Sequence, residues 1–387
     1  MFSQPQQIRD CIKDIVEIFG QTMFGLDDVA RLCLIAFYSD GHVLLEGNPG
    51  QGKTELVKGL SRILNLEFGR IQFTPDLMPS DITGTKEPQF LNGGLTAFEF
   101  VPGPILKHQL LLGDEINRAT PKTQAAMLEA MAERRVTVLG QEYRTKEPFM
   151  VLATQNPIEH EGTYLLPEAQ LDRFMFHIEM PPPTSQSIQA ILRKTTGASS
   201  SSPGATAESS LPRSHPTLIS PEASWQVFRE IRKQIREVRP SVSLEQHIQN
   251  LLFAFMGAES SLTGDDPKSF RQACALLREL SRYPIGPRAA IALMTGAKAW
   301  HLLFGGTGEF ASTSELKRVV VPALRHRMKL DFSWREKVAR DLKLTENHPD
   351  LLELFVLHLC SLTGPDKQSR STFQERFEEL RTQRVGG

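Results

Sequence analysis

Residues 42–54 read His42-Val43-Leu44-Leu45-Glu46-Gly47-Asn48-Pro49-Gly50-Gln51-Gly52-Lys53-Thr54. A short apolar run that stops at a glycine has the pattern of a buried strand. Its continuation fits G-x-x-x-x-G-K-[ST], and residues 55–64 then read as a helix. Glycines let the backbone curl so that N–H groups point inward at an anion, and the helix N-terminus adds partial positive charge. In that arrangement Gly47, Asn48, Pro49, Gly50, Gln51, Gly52, Lys53 and Thr54 line a phosphate loop. Lys53 is expected to bridge the β- and γ-phosphates and the Thr54 hydroxyl to ligate Mg²⁺. The order strand, loop, helix separates this stretch from a chance glycine-rich turn.

Outward from the loop, two more apolar runs end in polar residues. Residues 110–112 are three leucines, followed by Gly113, Asp114 and Glu115; residues 149–153 (FMVLA) lead to Thr154-Gln155-Asn156-Pro157. A helix is expected between them at 123–133, with Ala126, Met127 and Ala130 on one face. Strands alternating with helices imply crossover connections and a parallel sheet, whose ligands bind at the C-terminal strand edge. Asp114 then suits a Mg²⁺ contact, direct or through a bound water, and Glu115 polarisation of the attacking water. Asn156 can both donate and accept, so it suits a place between the other two strand tips, near the γ-phosphate. Arg173, flanked by apolar residues, and Arg288, in Gly286-Pro287-Arg288, could each cover developing phosphate charge.

The rest of the chain sets limits. In 387 residues, 44 lysines and arginines meet 45 acidic residues, which excludes a broadly basic nucleic-acid binder. Cys11, Cys33, Cys274 and Cys360 stand singly, so neither a disulfide framework nor a zinc ribbon is indicated. The N-terminus shows no secretory signal and no run reaches the length of a membrane span, so a cytoplasmic protein is expected. Residues 195–216 (TTGASSSSPGATAESSLPRSHP) have Leu211 as their one large apolar side chain and read as a linker. After it the pattern is helical, with Ser220, Ser243 and Ser269 as expected helix starts and 287–304 as a further helix. His160-Glu161 does not extend to H-E-x-x-H, and no G-x-S-x-G elbow occurs.

The phosphate loop, LLLGDEINRATPKTQAAMLEAM (110–131), VLATQNPIEHEGTYLLPEAQLDRFMF (151–176) and GPRAA (286–290) together resemble the MoxR family of AAA+ ATPases. The resemblance runs from about Gly25 to the segment around His326. It implies an α/β P-loop NTPase core with a parallel sheet and a hairpin inserted in helix 2, for which residues 90–100 (FLNGGLTAFEF) are the candidate, and an all-α lid. It implies a nucleotide-binding domain at 1–194 and a lid at 217–330; the linker at 195–216 and a helical extension at 331–387 go beyond the compact family core. It further implies Asp114 and Glu115 as the Walker B pair, Asn156 as sensor 1, Arg288 as sensor 2 and Arg173 as an arginine finger acting on a neighbour's ATP. Gly113 departs from the family's usual alanine, and a serine often found before Pro287 is absent. Members form ring hexamers that act as chaperone-like ATPases with Mg²⁺, often beside partners carrying a von Willebrand factor A domain. The alternative, a nucleic-acid-stimulated motor, would call for basic residues on the hairpin; residues 90–100 have none and carry Glu99.

Overall fold

A computed structural model of the chain describes residues 5–22, 25–91, 94–156, 163–185, 187–189, 192, 221–281, 284–305, 308–331 and 333–383. The expected linker, the Ser220 helix start, His160-Glu161 and the tip Asn92-Gly93 lie outside the described residues. The chain divides into two compact units, Met1–Phe174 with Ile178–Ile231, and Met175–His177 with Arg232–Gly387.

The first unit begins with α1 (Pro5–Thr22) and α2 (Asp27–Tyr38), then β1 (Val43–Glu46), the phosphate loop and α3 (Lys53–Ile63). There follow β2 (Phe68–Gln72), α4 (Pro79–Thr83), the hairpin β3 (Gly84–Leu91) and β4 (Gly94–Pro102), and α5 (Pro104–Lys107). Next come β5 (Leu110–Asp114), α6 (Pro121–Glu133), a second hairpin β6 (Arg135–Val138) and β7 (Gln141–Arg144), β8 (Met150–Gln155), α7 (Glu168–Leu171) and β9 (Phe176–Glu179), of which Phe176 and His177 are counted with the second unit.

Five strands form one sheet in the order β2-β5-β8-β1-β9. The pairs β2/β5, β5/β8 and β8/β1 are parallel. The three inner strands are the ones whose apolar runs announce them, because both of their faces are covered. Leu44, Leu111 and Val151 from these strands pack with Met127 and Leu128 of α6 and with Ile116 and Phe174 in one apolar cluster. The edge strand β2 alternates buried and exposed positions, and β9 carries His177 and Glu179, so neither reads as an apolar run.

The inserted hairpin is longer than residues 90–100. Its register pairs Lys86 with Phe100, Glu87 with Glu99 and Pro88 with Phe98. It therefore includes Lys86, but against Glu87 and Glu99 its balance stays acidic. The second hairpin turns at Leu139-Gly140, both with positive φ (49° and 80°), as a two-residue hairpin turn demands. Phe100 and Tyr143 stack with ring centroids 3.9 Å apart, which ties the two hairpins together.

The second unit is helical: the end of α8 (Pro221–Glu237), then α9 (Val242–Met256), α10 (Pro267–Leu280), α11 (Pro287–Phe304), α12 (Thr313–Leu324), α13 (Trp334–Leu342), α14 (Leu351–Thr363) and α15 (Lys367–Gln383). Two helix starts differ from expectation. Ser241, not Ser243, caps α9 by accepting from the Leu244 N–H, and Ser243 instead donates to Asp366 at 2.6 Å. Asp266, not Ser269, caps α10, with the Ser269 N–H as its donor. In both cases the side-chain acceptor sits three residues before the N–H that needs it. α14 packs against α10, α13 and α15, and Leu354, Val356 and Leu357 are buried along with Leu351, Phe355 and Leu359. It is thus covered all round, not along one stripe. Asn250 of α9 fastens this packing by donating to the Thr263 and Thr363 carbonyls and accepting from the Thr263 N–H.

His247, fully buried on α9, has Nε2 3.0 Å from the Cys360 carbonyl. Burial lowers its pKa to about 4, against the opposing pull of that carbonyl and of the Asp366 charge. The unfolded chain, with an ordinary histidine near pH 6.5, takes up the proton first. Stability from the neutral ring is therefore complete above pH 6.5 and is lost as pH falls from 6.5 towards 4. By linkage the loss at pH 5 is on the order of 2 kcal/mol. Denaturant unfolding at pH 7 and pH 5 should show the wild type losing about that much more than His247→Gln; equal losses would refute the assignment.

Candidate nucleotide site

The phosphate loop depends on glycine at three positions. Gly50 and Gly52 have φ of 82° and 78°, a region that side chains disfavour. A Cβ on Gly47 would come within 2.2 Å of Gln51 Oε1 and 2.8 Å of the Met180 Cβ. Gly52 then ends the loop as N-cap of α3, its carbonyl accepting from the Leu56 N–H at 2.9 Å. Lys53, the first residue of α3, turns its amine back into the loop and donates to the Gly47 carbonyl at 2.5 Å. Thr54 follows it, half-buried, while Asn48 and Pro49 are exposed at the rim.

The other strand ends meet this loop at the same edge. β8 lies between β5 and β1, so Asn156, buried just beyond β8, stands between the end carrying Asp114 and Glu115 and the end carrying Gly47. The Thr154 hydroxyl donates to Asp114 Oδ1 at 2.6 Å and accepts the Glu115 N–H at 2.9 Å. Glu115 adopts a left-handed backbone, φ 57° and ψ 50°, which turns the chain sharply off the strand. Arg70 of β2 reaches Asp114 Oδ2 through Nη2 (2.6 Å) and Nε (3.2 Å). Gln72 Nε2 and Arg118 Nη1 each donate to Glu115 Oε2 at 2.9 Å.

These residues fit a nucleoside triphosphate with Mg²⁺. The loop offers a helix N-terminus and an amine to an anion. Among the described residues no group of three or more His, Cys, Asp or Glu could hold a metal by itself. A donor set of one hydroxyl and one carboxylate suits an ion that keeps phosphate oxygens and waters as its remaining ligands. Arg173 belongs to the first unit and follows α7; Arg288 belongs to the second, on the exposed first turn of α11.

Residues 42–176 match the family model for ATPases associated with various cellular activities (AAA), and residues 275–346 match the AAA lid domain. The chain is 37% identical over 316 residues to the uncharacterised protein YeaC of Bacillus subtilis, spanning 81% of this chain and 86% of YeaC. It is 47% identical over 168 residues to Chaperone MoxR1 of Mycobacterium tuberculosis, spanning 43% of this chain and 44% of MoxR1. The crystal structure of a proposed ATPase from Cytophaga hutchinsonii superposes with a TM-score of 0.70 at 33% identity, over 91% of this chain and 95% of the other.

The chain belongs to the MoxR family of AAA+ ATPases.

As a MoxR-family ATPase it has the nucleotide fold that its motifs imply, together with a helical lid. A Cβ at Gly113 would lie 3.2 and 3.3 Å from Met127 Cε and Phe73 Cε2, so these side chains already fill the space a methyl would need. Arg70 and Gln72 escape a reading of the sequence because β2 carries no apolar run to mark it. Thr154 and Arg118 lie inside the quoted motifs, but only the fold reveals what they touch.

The buried Thr154 hydroxyl serves both acidic residues at once. Thr154→Val removes its donor and leaves the Glu115 N–H without an acceptor, a cost of about 1–3 kcal/mol. ATP turnover should fall about tenfold or more, with Thr154→Ser near wild type, measured by steady-state ATPase assay beside thermal unfolding. Wild-type turnover in Thr154→Val would contradict this role.

Proposed function

We propose that this MoxR-family ATPase works as a ring oligomer, a hexamer by family likeness, in which ATP binding and hydrolysis drive remodelling, maturation or activation of a protein client. The name of the relative MoxR1, a chaperone, supports this reading. So does the acidic balance of the inserted hairpin, which suits a protein client better than a phosphate backbone. A partner with a von Willebrand factor A domain and a cytoplasmic setting follow from the family likeness. Among the described residues no helix is long and apolar enough to cross a membrane.

The observation that carries the ring reading is the position of Arg173. The Met180 N–H donates to the Glu46 carbonyl at 2.7 Å, so the C-terminal ends of β9 and β1 lie together and the strands run parallel. Phe176 therefore begins β9 at the opposite edge from Gly47, a strand length of roughly 13 Å at ~3.3 Å per residue. Arg173 comes three residues before that beginning, towards the N-terminal end of β9, whereas its own phosphate loop follows the C-terminal end of β1. This supports a role for Arg173 on a neighbouring copy's ATP.

Within each site Lys53 and the loop N–H groups bind the β- and γ-phosphates. Thr54 and Asp114 would hold Mg²⁺, which would supply positive charge to the phosphate oxygens. Glu115 orients and polarises the attacking water, and Asn156 fixes that water or the γ-phosphate. Arg173 of the adjoining copy and Arg288 of the lid stabilise the charge that develops on the transferred group. Arg70 and Thr154 hold the Asp114 carboxylate from both oxygens, and Gln72 and Arg118 set the Glu115 carboxylate.

Lys53→Ala, Glu115→Ala and Arg173→Ala should each lower ATPase activity by about 10³-fold or more when assayed alone. Mixing Glu115→Ala with Arg173→Ala protein should restore part of it, because mixed interfaces then hold one intact site. Normal hydrolysis by Arg173→Ala, or no recovery on mixing, would sink the shared-site reading.

A further inference from the structure

Gln124 of α6 is fully buried, yet it is polar and stands amid the apolar cluster of the first unit. Its amide Nε2 lies 3.1 Å from each of three carbonyls, those of Ile116, Ala119 and Tyr164. Its Oε1 is buried with no hydrogen-bond partner. Three acceptors around one nitrogen fix the orientation of the amide, since a flipped oxygen would face three other oxygens.

The three carbonyls belong to two segments with different duties. Ile116 and Ala119 bound the turn that leaves Glu115, and the Asn117 carbonyl within it accepts the Tyr164 N–H at 2.7 Å. From Tyr164 the chain runs through buried Leu166 into α7, whose last turn is hydrogen-bonded to Asp172 and Arg173 through the Glu168 and Gln170 carbonyls. One side chain thus joins the turn that sets Glu115 to the segment that ends in Arg173.

We propose that Gln124 is a positioning residue that couples the nucleotide site of one subunit to the arginine that the same subunit lends to its neighbour. The proposal rests on the shared-site reading above for what Arg173 does, but the coupling itself lies within one chain. Two amide protons serve three carbonyls, so the Tyr164 contact can loosen while the turn at 116–119 stays held. The orphaned Oε1 costs stability wherever it is buried unpaired, and a Met of similar length would avoid that cost. The amide is kept for the three carbonyls it serves, which a Met would leave without this donor.

The test uses the full-length chain. Leu165, 90% exposed and next to Tyr164, is changed to Cys and labelled with an environment-sensitive dye; Cys11, Cys33, Cys274 and Cys360 are all buried. ATP with Mg²⁺ should shift the dye's emission in otherwise wild-type protein. Gln124→Met should reduce that response about fivefold or more, the low end of ordinary coupling, with ATP affinity kept within about twofold. Tyr164→Pro, which removes the N–H bonded to Asn117, cuts the same link from the surface and should act alike if Gln124→Met does not fold. A dye that ignores ATP in the wild type, or responds fully in the folded variants, overturns the coupling. Loss of the response in Gln124→Met without recovery of activity on mixing the Glu115 and Arg173 variants would instead remove the trans role of Arg173 and leave the coupling in place.

Discussion

The hydroxyl of Thr154 holds together the strand edge that carries Asp114 and Glu115. It joins β8 to β5 through one short bond to Asp114 and one from the Glu115 N–H, and Thr154 itself is fully buried. A parallel sheet brings its strand ends to a common edge without deciding what the side chains there do. The threonine decides it by orienting Asp114 inward and by accepting the N–H that the left-handed turn at Glu115 would otherwise strand. Arg70, Gln72 and Arg118 then complete an array in which both carboxylates have defined partners.

The same economy of contacts recurs elsewhere. Gln124 fastens the segment beyond Glu115 to the segment leading to Arg173, and Asn250 fastens α9 to the loop at Thr263 and to the end of α14 at Thr363. Each is a buried amide serving backbone groups that no helix or ladder satisfies. Such side chains set geometry more than they add stability, because a net hydrogen bond contributes only about 1 kcal/mol.

Much of this was legible in the sequence, for physical reasons that differ by element. β1, β5 and β8 were readable because a strand buried on both faces must be apolar along its length. The glycines of the phosphate loop were readable because left-handed backbone and close approach exclude other residues. β2 and β9 were hidden because edge strands mix polar and apolar positions, and with β2 went Arg70 and Gln72. Ser243 and Ser269 misled as helix starts because several serines and aspartates within three residues compete for one cap, and only the fold settles which N–H each can reach. Gln124 looked like any polar residue on a helix, since nothing in its spacing records three distant carbonyls.

The central claim is that each ATP is handled by residues of two copies, with the loop, Asp114 and Glu115 from one and Arg173 from the next. An electron cryo-microscopy structure of the Glu115→Gln variant with ATP and Mg²⁺ tests it most directly. The account predicts a closed ring in which the Arg173 guanidinium of each subunit lies within hydrogen-bond distance of its neighbour's γ-phosphate. Arg173 directed at the nucleotide of its own chain, or remote from every nucleotide in the assembly, would contradict it.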